Sequence, residues 1–179
     1  MGAEVAVLRD GVIAQIAAPE ILYRQPVDVA MARFVGEAVI LPGTVKAGAA
    51  VCALGRLPLA LPMPDGLVDV MVRPEQIRFL PKGNADAPRA KILAVTFYGH
   101  DASVDLALEA SGETVTSLVP GYRVPRPGGE VWLSVEGAVM AYPRADKDAA
   151  RVEPSPPERA QFPTKPLSVA ALGIQEDLT

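Results

Sequence analysis

Residues 65–81, with the sequence DGLVDVMVRPEQIRFLP, set the architecture predicted for this chain, because residues 128–143, GGEVWLSVEGAVMAYP, repeat their pattern. Each stretch begins with a glycine turn, runs as a strand of alternating side chains, breaks briefly, resumes as a second strand and ends at a proline. An apolar strand precedes each stretch, at Ile40–Val45 and at Ala90–Val95. The pattern predicts an internal duplication, and two units of about 45–55 residues would each be marginally stable alone.

The composition favours many short strands over long helices. The 179 residues include 18 Pro and 15 Gly, and half of all residues are hydrophobic although only 5% are aromatic. Such frequent turn residues are typical of a small sandwich or barrel. Between residues 38 and 143 the pattern has a period of two, with turns expected at Pro42-Gly43, Asp65-Gly66, Ser111-Gly112 and Pro127-Gly128-Gly129. Strands are predicted at 39–41, 44–47, 50–53, 57–61, 67–72, 77–80, 90–98, 102–108, 113–118, 130–135 and 139–142.

The segment before residue 38 has a different pattern. A hairpin is predicted around Asp10-Gly11, because this dipeptide readily adopts the positive φ angles of a tight primed turn. Pro19 suits the first position of a short helix. Asp28 is predicted to cap a second short helix that ends at Gly36.

Charge and residue counts exclude several classes of protein. Seventeen basic and 21 acidic residues give a net charge of −4, without the basic stripe of a nucleic-acid-binding protein. One Cys and one His exclude a disulfide framework, a multi-Cys zinc site and a poly-His metal site. No segment has the pattern of a membrane span or a signal peptide, so we expect a soluble, intracellular protein. The chain has no P-loop and no other common catalytic motif, so nothing predicts an enzyme acting alone.

The Arg73-Pro74-Glu75 motif interrupts a predicted strand pair. Pro74 ends the hydrogen-bonded ladder, so the flanking charges of Arg73 and Glu75 must face either solvent or an interface. A solvated corner and a structural ion pair or domain contact are both compatible with the sequence.

A second candidate group is Tyr98-Gly99-His100-Asp101. His100 and Asp101 are neighbours in an extended segment, so their side chains are expected to point to opposite faces and to form no catalytic dyad. A role in a turn or in packing is expected instead. Asp101, Asp105 and Glu109 share one face of a predicted strand, which leaves a site for a hard cation as a minor alternative to an exposed acidic face. Cys52 is expected to be a small buried residue.

Two sets of residues resemble a known family. Residues 3–15, 18–26 and 32–38 resemble the last part of the ATPase domain in an ABC-type importer subunit, where a hairpin and two short helices lead into a regulatory domain. Residues 72–77 and 97–102 resemble the two OB-like repeats of that regulatory domain, which is often called TOBE. Ala18 departs from the family, which often has a capping residue before the Pro-Glu pair.

The resemblance implies a mainly β fold of two small OB-like antiparallel β-barrel repeats, preceded by a hairpin and two short helices. Residues 1–37 would then be a remnant of the ATPase domain, 38–83 the first repeat, 84–143 the second repeat and 144–179 a Pro-rich tail that is partly disordered. The P-loop, signature motif and switch histidine of the family would precede Met1. We therefore expect no catalysis and no cofactor in this chain, with ATP and Mg²⁺ bound by the longer parent.

The resemblance also implies a function and partners. The chain would be a non-catalytic regulatory and dimerisation domain, located in the cytoplasm at the inner face of the cell membrane. Its expected partners are a second copy through the β repeats, its own upstream ATPase domain, a membrane permease and, indirectly, a solute-binding protein. The family forms most similar to this sequence belong to importers of iron(III), of spermidine or putrescine, and of phosphonates, and iron(III) is favoured.

Two alternatives belong to other functional classes. The first is an OB-like sensor that binds an oxyanion, a metal or the transported solute between the repeats. The second is a nucleic-acid-binding OB protein, which requires a basic groove with aromatic platforms. The net charge of −4 and the low aromatic content argue against that second alternative, so no nucleic-acid partner is expected.

Overall fold

The computed structural model describes residues 3–81 and 87–144, which lie in one compact unit. The predicted tail at 144–179 lies outside these residues except for Arg144. Two helices are present, α1 (Pro19–Arg24) and α2 (Val29–Val35), together with short 3₁₀ helices at Pro74–Gln76 and Gly121–Arg123. The strands are β1 (Val5–Arg9), β2 (Val12–Ala17), β3 (Val39–Lys46), β4 (Ala49–Cys52), β5 (Gly55–Pro58), β6 (Gly66–Val72), β7 (Ile77–Leu80), β8 (Arg89–Phe97), β9 (Asp101–Leu108), β10 (Thr114–Pro120), β11 (Glu130–Val135) and β12 (Met140–Pro143).

The N-terminal hairpin has the predicted turn. Strands β1 and β2 pair antiparallel around Asp10 and Gly11, whose φ angles are 54° and 79°. Two consecutive positive φ values are the mark of a primed turn, which matches the right-handed twist of the flanking strands.

The two helices begin at the predicted residues. Pro19 opens α1, and Ala18 before it makes no side-chain capping bond. The carboxylate of Asp28 accepts a 2.7 Å hydrogen bond from the backbone N–H of Met31 at the start of α2. Asp28 also pairs with Arg9 at 2.7 Å, so the cap connects the hairpin to α2.

The prediction of a mainly β fold is confirmed, and the two main sheets repeat one strand order. The first sheet has the order β12-β6-β3-β4-β5 and the second has the order β7-β11-β8-β9-β10. Adding five to each strand number in β6-β3-β4-β5 gives β11-β8-β9-β10. The duplication seen in the sequence is therefore also present in the strand order.

The two repeats exchange their last strands. β12 pairs with β6 in the first sheet, with Met140 opposite Met71, and β7 pairs with β11 in the second sheet, with Ile77 opposite Val135. Each sheet thus contains four strands from one side of residue 83 and one strand from the other side. The boundary between the repeats stays a prediction, but the strands on its two sides do not separate into two independent sheets.

The prediction of a turn at Pro42-Gly43 is wrong, because β3 runs unbroken through both residues. A Cβ atom on Gly43 would lie 2.7 Å from the carbonyl oxygen of Val51 and 2.8 Å from Cγ2 of Val70. Glycine is needed there for close approach of neighbouring strands, and the actual turn falls at Ala47-Gly48, where φ is 49° and 70°.

One hydrophobic core connects the sheets. It contains buried aliphatic residues from both, among them Leu41, Val70, Leu106 and Leu133. The first sheet closes on itself where the backbone N–H of Ala60 donates to the carbonyl of Val139 at 2.9 Å. A shared core and exchanged strands mean that neither repeat completes its packing without the other.

Candidate functional site

Arg73 lies at the point where the chain leaves the first sheet for the second. It follows β6 directly and precedes the 3₁₀ helix Pro74–Gln76. Only 3% of its surface is exposed, which is unusual for arginine. A buried guanidinium needs hydrogen-bond acceptors for its donors. Residues 19–37, which contain α1 and α2 and which we call the helical segment, supply them.

Backbone carbonyls at the ends of both helices surround the guanidinium. Nη1 donates to the carbonyls of Ala32 at 2.9 Å and Glu37 at 2.8 Å, with a longer bond of 3.3 Å to Gly36. Nη2 and Nε donate to the carbonyl of Tyr23 at 2.6 and 3.2 Å. The last carbonyls of a helix lack partners within the helix and carry partial negative charge, so a cation placed there is stabilised.

The ring of Tyr23 completes the enclosure. The guanidinium carbon lies 4.0 Å from the ring centroid, within cation–π distance. A Cβ on Gly36 would lie 2.7 Å from Cε2 of Tyr23, so a larger residue there would displace this ring. The Tyr23 hydroxyl donates to a carboxylate oxygen of Glu75 at 2.9 Å. Partial burial, followed by this bond and the Glu75 charge, raises the pKa of Tyr23 to about 12.

Gln76 extends the same network to the second repeat. Its side-chain oxygen accepts from the backbone N–H of Arg73 at 3.0 Å. Its side-chain nitrogen donates to the carbonyls of Glu136 at 2.9 Å and Ala138 at 3.0 Å. We call the group of Tyr23, Arg73, Glu75 and Gln76 the Arg73 joint. It links α1 and α2 to the two places where the chain crosses between the sheets, Arg73–Gln76 and Glu136–Ala138.

Tyr142 on β12 makes a second link to the helical segment. Its buried hydroxyl donates to the carbonyl of Pro26 at 2.8 Å. Burial raises the pKa of Tyr142 to about 12. The sequence pattern did not indicate the roles of Tyr142, Tyr23 or Gln76, since each contacts residues distant in the chain. Tyr142 gave the one local signal, as an aromatic residue before the terminal Pro143.

Of the two interpretations left open for Arg73-Pro74-Glu75, the structure has the buried contact. Arg73 and Pro74 are buried, and Glu75 is bonded to Tyr23. A regulatory role for these residues stays a prediction.

Tyr98, Gly99, His100 and Asp101 form the turn between β8 and β9, separate from the Arg73 joint. Gly99 has φ of 95°, and the backbone N–H of Tyr98 donates to the carbonyl of Asp101 at 2.8 Å. The expectation that His100 and Asp101 point apart is wrong: Nε2 of His100 lies 3.0 Å from a carboxylate oxygen of Asp101. The chain is bent there, so strand alternation does not apply. A contact as exposed as this one contributes little to stability.

The acidic residues in β9 and directly after it have separate partners. Asp105 accepts a 3.0 Å bond from the hydroxyl of Thr116, and Glu109 pairs with Arg89 at 3.0 Å. In the parts of the chain that the structure describes, no three His, Cys, Asp or Glu side chains are grouped closely enough to hold a metal ion. Cys52 is half-buried, and burial raises the pKa of its thiol.

Two clefts lie near these elements. One of about 860 Å³ opens beside the Arg73 joint, between α1 and the crossing at Glu136–Ala138. The other cleft, of about 540 Å³, is lined by Cys52, Ala53 and Gly55 on the first-sheet side and by Arg89 and Glu109 on the second-sheet side.

Comparison with known proteins gives three related findings. Residues 70–141 match the family model of the TOBE domain. The chain is 36% identical over 134 residues to the Fe(3+) ions import ATP-binding protein FbpC of Serratia marcescens, covering 75% of this chain and 39% of that protein. It is 36% identical over 143 residues to FbpC 1 of Rhodococcus jostii, covering 78% of this chain and 41% of that protein.

The chain spans about two fifths of the length of these curated relatives. Within the described ranges, no helix has both the length and the apolar character needed to cross a membrane.

Proposed function

Since residues 70–141 of this chain belong to the TOBE domain family, we propose that it is the regulatory and dimerisation part of the ATP-binding subunit of an ABC importer. The names of its relatives support ferric iron as the transported solute. In this proposal the chain is non-catalytic, and ATP and Mg²⁺ bind to an upstream ATPase domain.

The observation that carries the proposal is the Arg73 joint. A regulatory domain that responds to an ATPase domain, or acts on it, requires a rigid connection to that domain. Here one buried guanidinium bonds to carbonyls of α1 and of the α2 terminus, while its own backbone belongs to the crossing between the sheets. Movement of the helical segment would therefore carry both repeats with it.

The energy required of such a connection is modest. A coupling between two sites typically amounts to about 1–3 kcal/mol of differential binding. A flexible linker would let the helical segment and the repeats move independently, so it would transmit no such coupling. Here the five hydrogen bonds of the Arg73 guanidinium have to break before the helical segment and the repeats move separately.

The N-terminal hairpin supports the proposed upstream partner. Leu8, Val12 and Ile13 are 67%, 65% and 57% exposed. A cluster of apolar side chains on a two-stranded sheet is typical of a surface covered by another part of a protein. We assign this surface to the upstream ATPase domain, with a membrane permease and a solute-binding protein as the remaining partners at the cytoplasmic face of the membrane.

Sedimentation and a phosphate-release assay test the proposal on the 179-residue chain. We expect a dimer at micromolar concentration and no ATP hydrolysis above a buffer control. A monomer across that range would overturn the dimerisation role, and ATP turnover by the pure chain would overturn the non-catalytic assignment.

A second candidate function is a ligand sensor, favoured by the 540 Å³ cleft between the two sheets. Its lining includes the Arg89–Glu109 pair, which offers both a cation and a carboxylate to a polar solute. Calorimetry with ferric ion, molybdate, sulfate and a polyamine tests this function. If none of the four titrations shows binding, the sensor function is excluded for these ligands and only the regulatory and dimerisation role remains.

A further inference from the structure

Among the described residues, one edge of the second sheet has no pairing strand along part of its length. β11 pairs with β8 only at residues 89–91, and the adjoining Gly128 and Gly129 bond to Ile92. Beyond Ile92, β8 continues to Phe97 with β9 on one side and, among the described residues, no strand on the other. We call residues 93–97 the β8 edge.

The backbone groups of the β8 edge alternate in direction. The Tyr98 N–H bonds to the Asp101 carbonyl, and the register places Thr96 opposite Ser103 and Ala94 opposite Asp105. Bonded and non-bonded pairs alternate in an antiparallel ladder, so Ala94 and Thr96 point their backbone groups at β9. The N–H and C=O groups of Val95 and Phe97 therefore point away from β9, where an added strand would lie.

The β8 edge lacks most features that protect free strands. Exposed edges are usually blunted by charged side chains or proline. The β8 edge has the sequence Leu-Ala-Val-Thr-Phe, without either, although a bulge precedes Ala94. Leu93 is 50% exposed and Phe97 is 61% exposed. An apolar edge of this kind is more typical of an interface than of a surface facing water.

The residues beside the β8 edge are aromatic and basic. Tyr122 is 83% exposed, and it follows Gly121, where an added Cβ would lie 2.9 Å from Cε2 of Phe97 on the β8 edge. Arg123 stacks over the ring of Tyr122 at 5.7 Å. In the described ranges neither Arg123 nor Arg126 forms an ion pair. Tyrosine and arginine are the residues most enriched at the energetic centres of protein interfaces.

We propose that the β8 edge binds an extended, acidic and apolar segment of a partner protein by strand addition. Val95 and Phe97 supply the backbone bonds, Leu93 and the aromatic side chains contact apolar residues, and Arg123 and Arg126 pair with carboxylates. Charge decides the occupant: two copies of this edge would bring the same arginines near one another, while an acidic segment neutralises them. The proposal goes beyond the proposed function and does not depend on it.

Two labelled peptides test the proposal by fluorescence anisotropy with the full chain. One has the sequence Glu-Val-Glu-Phe-Glu-Val-Glu, and its control has lysine at every glutamate position. We expect saturable binding of the acidic peptide, weakening as salt rises, and little binding of the basic peptide.

Edge variants locate the binding site. Val95→Pro removes an outward N–H without removing a bond to β9, and we expect it to weaken acidic-peptide binding about tenfold. Thr96→Lys adds a charge to the edge and serves as the second variant if Val95→Pro unfolds the chain. Arg123→Glu with Arg126→Glu should reverse the peptide preference, whereas Arg33→Glu with Lys46→Glu, the same charge change on exposed residues of other elements, should not.

Several results would overturn the proposal. These are failure of the wild-type chain to bind the acidic peptide, equal binding of the two peptides, or binding unchanged in both edge variants. A dimer in sedimentation that Val95→Pro converts to monomer would assign the β8 edge to a second copy and overturn the assigned partner. A chain that binds neither peptide but sediments as a dimer would leave the regulatory proposal standing.

Discussion

The two repeats have the same strand order but differ at the points where the chain crosses between sheets. The first crossing, Arg73–Gln76, contains a buried arginine and docks on both helices. The second crossing, Glu136–Ala138, has no buried charge and is held by the side chain of Gln76. Duplication therefore explains the architecture, while the residues that break the symmetry connect the fold to the helical segment.

Replacing Arg73 should produce the largest difference between the crossings. Arg73→Ala leaves the carbonyls of Tyr23, Ala32 and Glu37 without this partner, and we expect a loss of about 3–5 kcal/mol in the free energy of unfolding. Glu136→Ala at the corresponding position removes only an exposed pair with Arg78 and should cost less than about 1 kcal/mol. Urea denaturation of both variants measures the difference. Equal losses would contradict the asymmetry.

Gly43 tests a second difference between the repeats. Gly43→Ala places a methyl group against Val51 and Val70, so we expect a loss of about 1–3 kcal/mol. Leu93 lies on β8, the strand that corresponds to β3, and is 50% exposed, so Leu93→Ala should change stability by less than about 0.5 kcal/mol. Thermal unfolding of both variants checks this, and a larger loss for Leu93→Ala would show that the β8 edge is packed.

The tyrosines that reach the helical segment should make stability fall at high pH. Their pKa of about 12 in the folded chain exceeds the ordinary value of 10, so the unfolded chain loses protons first as pH rises. Stability is then fully present below pH 10 and declines between about pH 10 and 12. Tyr23→Phe should lessen that decline and cost about 1 kcal/mol at neutral pH. Tyr122→Phe, an exposed control in the second repeat, should change neither quantity.

The smallest expected effect concerns two turns with the same backbone. Asp10 and Ala47 both have positive φ and both precede glycine, yet only Asp10 is a residue that favours this conformation. Ala47→Asn should stabilise the chain by about 1 kcal/mol, and Asp10→Ala should destabilise it. Differential scanning calorimetry on the two variants measures both signs; a loss of stability in Ala47→Asn would mean that the strain is relieved elsewhere.

Local chemistry explains which features the sequence predicted. The Asp10-Gly11 turn, the proline start of α1 and the Asp28 cap each depend on residues within a few positions of one another. The sequence also showed the duplication, because both copies retain a glycine turn and a terminal proline. The family resemblance drew attention to Arg73-Pro74-Glu75 without revealing what Arg73 contacts.

Long-range packing explains what the sequence missed. The exchange of β7 and β12 depends on pairing between residues 52 to 75 positions apart, for which a strand pattern has no signal. Pro42-Gly43 has the chemistry of a turn, yet Gly43 is required by the close approach of Val51 and Val70. The contacts of Tyr23 and Tyr142 across the helical segment likewise follow only from the three-dimensional structure.

Native-state hydrogen exchange tests the central claim, that the Arg73 joint makes the helical segment and the repeats one mechanical body. The amides to compare are those of Gln25 and Ala32 in the helices and those of the buried strands β6 and β11. We expect both groups to open with similar free energies in the wild-type chain, and only the helical amides to lose protection in Arg73→Ala. Helical amides that already exchange much faster than the strands in the wild-type chain would contradict the account.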